Sequence, residues 1–180
     1  MAPVPAGVDD RRDAMSVRPV LALPHPVLTA ASVPVGVVDA DARALAVDLV
    51  DTMRASPACV GLAAPQIGVA RRALVVDVTG HRKAVSCHGM FVLFDPVVVS
   101  AADPLDGREG CMSVPDLTGE VARATRVTVT GTDVDGARRT LHVDAFEARA
   151  VLHEIDHLEG LVFLDRVVGP HAVFPRRRYR

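Results

Sequence analysis

The sequence predicts an α+β fold with mixed or antiparallel sheets packed around a central helix. Three observations carry this. Helical periodicity occurs in two well-separated segments, near residues 42–53 and 144–158. Several β-like runs lie before and between them. Helices and strands do not alternate as the βαβ units of a doubly wound sheet do. A chain of 180 residues fits one domain and can bury a sizeable core without disulfides.

Taken in order, residues 1–14 carry Asp9, Asp10 and Asp13 and no apolar stretch. They read as a disordered extension rather than a secretory or transit segment. Met15 opens MSVRPVLAL and is a candidate translation start. Pro19, Pro24 and Pro26 keep the next segment extended or turned. Ala42, Leu45, Ala46, Leu49, Val50 and Met53 then follow helical spacing, with Asp39 or Asp41 at the N-cap and an end before Pro57. Residues 59–69, CVGLAAPQIGV, read as a loop or short strand with close backbone approach.

Ala73 to Val78, Met90 to Phe94 and Val97 to Val99 have β character, with Pro96 marking an edge or a short break. Arg126 to Thr130 alternates Val and Thr, as a half-exposed strand does. Asp133-Val134-Asp135-Gly136 signals a turn, so Arg139 to Val143 pairs back as a hairpin. Asp144 with Glu147 forms a capping-box-like start to the second helix. Ala148, Val151, Leu152, Ile155 and Leu158 make its apolar face, and Gly160 is its stop signal. The domain is expected over 15–170, followed by a basic tail at 171–180.

The composition excludes several classes. Aromatics make up 3% and Trp is absent, so Val, Leu, Ala and Ile build the core. The net charge of -2 and pI near 6.4 give no global signal for specific DNA or membrane binding. No apolar run reaches the length of a membrane span. Cys59, Cys87 and Cys111 form an odd, small set, which argues against a disulfide framework and fits a reducing cytoplasm. Lys83 is the only lysine, which reads as codon bias.

The second helix also carries His153, Glu154 and His157, an H-E-x-x-H arrangement. Imidazoles four residues apart share a helix face and can reach one metal ion. Glu154 lies about 100° round the helix from His153, a geometry consistent with reaching a water on that ion. The ion lowers the pKa of its water, and the glutamate takes and returns the proton. The plain alternative is a pair of histidines hydrogen-bonded in the core.

Two histidines need a third ligand. The candidates are Cys59, Cys87, Cys111, a further His or a carboxylate; His171 lacks a metzincin spacing. Cys111 stands out because Gly110 permits a tight turn beside it and Pro115 stiffens the exit, although a free Cys is often only a small core residue. Gln66 is an amide among apolar neighbours. It either donates to a developing oxyanion or pins its loop.

GLAAPQ at 61–66, EGCMS at 109–113 and HEIDH at 153–157 together resemble the three motifs of peptide deformylase, in that family's order. The similarity runs from about Val17 to Arg166. The resemblance implies an α+β fold and removal of the formyl group from N-formylmethionine on nascent bacterial and organellar chains. It implies Cys111, His153 and His157 as metal ligands, with Fe²⁺ preferred and Ni²⁺, Co²⁺ or Zn²⁺ able to substitute. Glu154 would be general base and then acid. Gln66 and the Met112 N–H would stabilise the oxyanion, and Gly61, Glu109 and Gly110 would contact substrate. The Arg-rich residues 176–180 read as a solvated, disordered terminus, with a ribosome contact near the tunnel exit as the alternative.

The pattern has departures. Cys59 replaces the family's first glycine of GxGLAAxQ, Met112 stands where Leu is usual, and Asp95 replaces an Asn before proline. No long C-terminal amphipathic helix follows Arg166. A zincin-type protease is the competing enzyme class; Cys111 and Gln66 argue against it.

Overall fold

The computed structural model describes residues 16–176. The expected extension at 1–14, the candidate start at Met15 and the last four residues of the basic tail, 177–180, lie outside the described residues. Two α-helices and an antiparallel sheet of six strands build the described domain.

The first helix, α1, spans Ala40–Ala55. Asp39 is its N-cap, and its carboxylate accepts from the Ala42 N–H at 2.9 Å. The helix stops at Ser56, whose extended backbone is the conformation a following proline favours. Strands β1 (Gly61–Ala63) and β2 (Ala73–Val76) form the next layer. Every residue of β2 is fully buried because the strand lies between two helices. Ala73 and Val75 pack with α1 residues such as Leu45 and Leu49. Leu74 and Val76 pack on the opposite face with Ala148, Val151 and Ile155 of the second helix. The period-two alternation of a strand thus serves two cores at once.

Strands β3 (Phe91–Cys111) and β4 (Val114–Thr132) form a long hairpin, much longer than the hydrophobic pattern indicates. From Val99 to Asp106 the side chains of β3 are exposed, so backbone pairing with β4 rather than burial defines that stretch. Pro96 does not end the strand. A register shift between Phe94 and Val97 absorbs it, with Asp95 at φ 49. Asp95 accepts from the Val35 and Gly36 amides, each at 2.8 Å, one through each carboxylate oxygen. An Asn side chain has only one acceptor oxygen, which gives the acidic residue a physical role here.

Strand β5 (Arg138–Asp144) pairs back on β4 as expected, and the helix α2 (Ala145–Leu158) follows directly. The expected capping box is not formed. Asp144 is the N-cap residue but makes no side-chain cap bond, and its N–H donates to Ser86 Oγ at 2.7 Å. Glu147 is fully buried and accepts from Ser86 Oγ and from the His88 backbone N–H, with His88 Nδ1 at 3.0 Å. Those donors outcompete the single amide of the cap. Gly160 ends the helix region at φ 74, and a Cβ there would meet the Ala30 backbone at 2.8 Å. A last strand, β6 (Val173–Pro175), pairs with β4 at Leu117–Gly119 and so draws residues expected in the tail into the sheet.

Candidate active site and metal centre

Three elements converge at the N-terminal end of β1, the tip of the β3–β4 hairpin and the inner face of α2. Cys111 ends β3 and pairs with Val114 across a two-residue turn, Met112 and Ser113. The turn places the Cys111 sulfur 3.2 Å from His157 Nε2. One ligand atom each from Cys111, His153 and His157 lie within 4.8 Å of one another. A tetrahedral ion with ordinary metal–sulfur and metal–nitrogen bonds separates S and N by about 3.5 Å. The spacing and the donor chemistry therefore fit a divalent metal, one soft sulfur and two imidazoles.

His153 is oriented through its other nitrogen. His153 Nδ1 lies 2.9 Å from Glu109 Oε2. Glu109 also accepts from Arg123 Nε at 2.9 Å and from Arg149 Nη1 at 2.8 Å. Arg123 in turn donates to Asp156, which also takes the Arg166 guanidinium. Glu109, Arg123 and Asp156 are all buried. Burial alone raises a carboxyl pKa, but hydrogen bonds from His153 and Arg123 outweigh it and hold Glu109 down at about 2. Burial opposes charge on His153, yet Cys111 and Glu109 hold its imidazole well above the usual value. Burial and the neighbouring His153 charge push His157 down to about 3. The two imidazoles thus shift in opposite directions, and His157 is held neutral with a ring nitrogen free to bind a metal.

Glu154 points the other way round the helix and packs against Gly61. A Cβ at residue 61 would lie 2.7 Å from Glu154 Oε1, so only glycine fits. Burial raises the Glu154 carboxyl to about 7, within reach of proton transfer at neutral pH. Its Oε2 is buried without a hydrogen-bond partner among the described residues, as is His157 Nδ1.

Gln66 lies in a 3₁₀ turn that follows β1. Its Oε1 accepts from the Ala63 N–H at 2.9 Å, which fixes the amide orientation. The Nε2 then faces the cysteine, 3.4 Å from Cys111 Sγ and 3.2 Å from Ser113 Oγ. The side chain both pins its loop and aims a donor at the metal group. A cavity of about 440 Å³ opens beside these groups, lined by Gly61, Gln66, Cys111, Met112, His153 and Glu154 among others. A larger cavity of about 590 Å³, between α1 and the β4–β5 turn, holds none of the candidate residues.

The family model of polypeptide deformylase matches residues 17–172. The chain belongs to the polypeptide deformylase family. Peptide deformylase of Rhizobium meliloti is 40% identical over 156 residues, covering 85% of this chain and 86% of that protein. Peptide deformylase of Thermomicrobium roseum is 42% identical over 154 residues, covering 85% and 87%. The crystal structure of peptide deformylase from Ehrlichia chaffeensis superposes with a TM-score of 0.80 at 31% identity, covering 86% of this chain and 89% of that one. Membership makes the chain a hydrolase whose family is named for removing a formyl group from a polypeptide.

Against that deformylase framework, Cys111, His153, Glu154, Gln66, Gly61 and Met112 line one cavity wall, and His157 lies behind it in the donor group with Cys111 and His153. Glu109 differs from its expected substrate contact in one respect: its carboxylate is committed to His153, Arg123 and Arg149. Gly110 borders the cavity, and the Arg176 guanidinium lies over it. The pattern missed Arg123 and Asp156. Asp156 sits inside HEIDH, three residues after His153, so a buried role for it was readable from the helix face. Arg123 carried no signal, since it lies in a strand of alternating exposure. Cys59, the deformylase departure, donates to the Gly61 carbonyl at 3.0 Å. Burial pushes its thiol up to about 12, which leaves it protonated and a poor nucleophile.

Proposed function

We propose that this chain removes the N-formyl group from the N-terminal formylmethionine of nascent polypeptides, releasing formate. The observation that carries the reading is the Cys111, His153, His157 donor group with buried Glu154 beside it and Gln66 aimed at it. A divalent ion held by those three residues supplies Lewis acidity and lowers the pKa of water. The remaining work falls to the chain. Glu154 accepts the proton of the attacking water and returns it to the leaving amine. Gln66 Nε2 and the Met112 N–H donate to the oxyanion that forms at the formyl carbon. That carbon bears only hydrogen and is unhindered. The Gly61 and Gly110 backbones border the cavity and are assigned to the substrate peptide, while Glu109 holds His153.

The metal assigned is Fe²⁺, with Ni²⁺, Co²⁺ or Zn²⁺ able to take its place. A thiolate beside two neutral imidazoles leaves a divalent ion with one net positive charge. Ferrous ion on a thiolate is prone to oxidation, so activity purified in air is expected to fall and nickel or cobalt to preserve it. No helix among the described residues is long and apolar enough to cross a membrane. The reaction is assigned to the cytoplasm, where the nascent chain emerges. The deciding experiment is formate release from formyl-Met-Ala-Ser by the wild type and by Glu154→Ala. The wild type is expected to release formate and the variant to lose that activity; equal rates would overturn the mechanism.

A further inference from the structure

The active-site cavity is bordered by three arginines, Arg108, Arg149 and Arg176. Arg149 is satisfied by Glu109 and by the carbonyls of Leu105, Gly107 and Val121. Arg108 and Arg176 are different: neither has an ion-pair partner among the described residues. Both are nevertheless held in place. The Arg108 guanidinium stacks over the Phe174 ring, 3.8 Å from its centroid. The Arg176 N–H donates to the Asp116 carbonyl at 2.8 Å, which anchors the residue at the end of β6. Its guanidinium lies over Gly110, where a Cβ would approach Nη2 to 2.5 Å. Gly110, Thr118 and Phe174 stand abreast on β3, β4 and β6, so both cations share one wall.

The carboxylates on the cavity wall do not balance them. Glu109 is neutralised by Arg123, Arg149 and His153. Glu154 is assigned to proton transfer. The rest of the wall includes Pro57, Val60 and Phe146. Glu120 stands opposite Arg108 in the β3–β4 ladder but forms no ion pair with it, so two positioned guanidiniums without an ion pair among the described residues make a site for a carboxylate from outside.

We propose that Arg108 and Arg176 form a carboxylate subsite that selects formylated peptides with an acidic residue close behind the formylated one. This rests on the deformylase reading of the same cavity. A carboxylate reaches the site either as an Asp or Glu side chain or as the C-terminus of a short peptide. Amide-capped peptides separate the two.

The test compares formyl-Met-Ala-Ser amide with versions carrying Asp or Lys at the second, third or fourth residue, using the nickel-loaded full chain. At low salt the wild type is expected to favour Asp over Lys by about five-fold in kcat/KM at one position or more, the scale of exposed charge pairs. The effect should appear in KM rather than kcat, because the cations do not touch the reacting atoms. Added salt should shrink it. Arg108→Ala combined with Arg176→Ala should bring the Asp peptide down to the Lys peptide, whereas Arg138→Ala on β5 should keep the preference. A preference for the free C-terminal acid alone, absent from every Asp amide, would overturn selection by side chain. Equal rates for Asp and Lys amides in the wild type, or a preference that survives the double variant, would overturn the subsite. If the double variant lost only binding of a ribosomal RNA fragment, the arginines would serve RNA and the proposal would fail. Failure of the wild type to release formate from the uncharged peptide would instead count against the deformylase reading. Binding of acetyl-Met-Asp-Ser amide against its Lys counterpart then still decides the subsite, because it needs no turnover.

Discussion

His153 Nδ1 and Glu109 Oε2 lie 2.9 Å apart, and this contact ties a helix ligand to the strand that also carries Cys111. The carboxylate fixes the imidazole's tautomer and leaves the far nitrogen for the metal. Glu109→Gln keeps an acceptor for His153 but strips a negative charge from between Arg123 and Arg149. Metal affinity, read by chelator competition, is expected to fall roughly 10- to 100-fold, the usual size of such outer-shell losses. A wild-type affinity in the variant would show that His153 is held by other means.

The same carboxylate makes stability depend on pH. Glu109 is held at about 2 in the folded protein against 4.5 ordinarily. A depressed folded pKa adds stability above the unfolded value and loses it as pH falls towards the folded one. The window therefore runs from about 4.5 down to about 2, and the contribution is on the order of 3 kcal/mol. Urea unfolding of the metal-depleted protein at a series of acid pH values should show this slope. Glu109→Gln should be less stable at neutral pH and show a shallower slope through the window. Parallel slopes in both proteins would assign acid sensitivity to other groups.

Gly61 tests the position of Glu154. An alanine there would bring Cβ to 2.7 Å from Glu154 Oε1, so the side chain must move. A displacement of about 1 Å in a catalytic group costs on the order of 100-fold in rate. Gly61→Ala is expected to lose at least that much in kcat while retaining the metal, because none of the three ligands is displaced by the contact. The paired readout is formate release and metal content by mass spectrometry. Loss of metal with loss of activity would mean that the contact supports the metal group instead.

The fold was legible where burial drives structure. The α1 stripe from Ala42 to Met53 and the β5 hairpin return are visible because apolar side chains repeat at the element's own period. Residues 99–106 are a strand without a hydrophobic pattern, since their backbone pairs while their side chains face solvent. The Asp144–Glu147 cap failed because a distant segment, Ser86 to His88, supplies donors that local pattern cannot foresee. The site divides the same way. His153, Glu154 and His157 are fixed by helix geometry. Cys111 and Gln66 became persuasive only in combination, and the Arg123 bridge between Glu109 and Asp156 depends on strand packing alone.

On the proposed mechanism, Glu154 sets the pH dependence of the reaction. Burial raises its carboxyl to about 7, and charges from His153 and Arg123 only partly oppose this. A general base must be ionised before it can accept a proton, so the rate falls as pH drops through the pKa. A cation among the three ligands favours the carboxylate and moves the value down. The acid limb of kcat/KM is therefore expected at or below about pH 7, with a slope of one, levelling off above it. The profile is measured on nickel-loaded protein with an uncharged formyl peptide, so that substrate ionisation adds nothing. Glu154→Gln should show a residual rate without this limb. A limb of the same midpoint in Glu154→Gln would assign the titration to another group and remove Glu154 from the proton path.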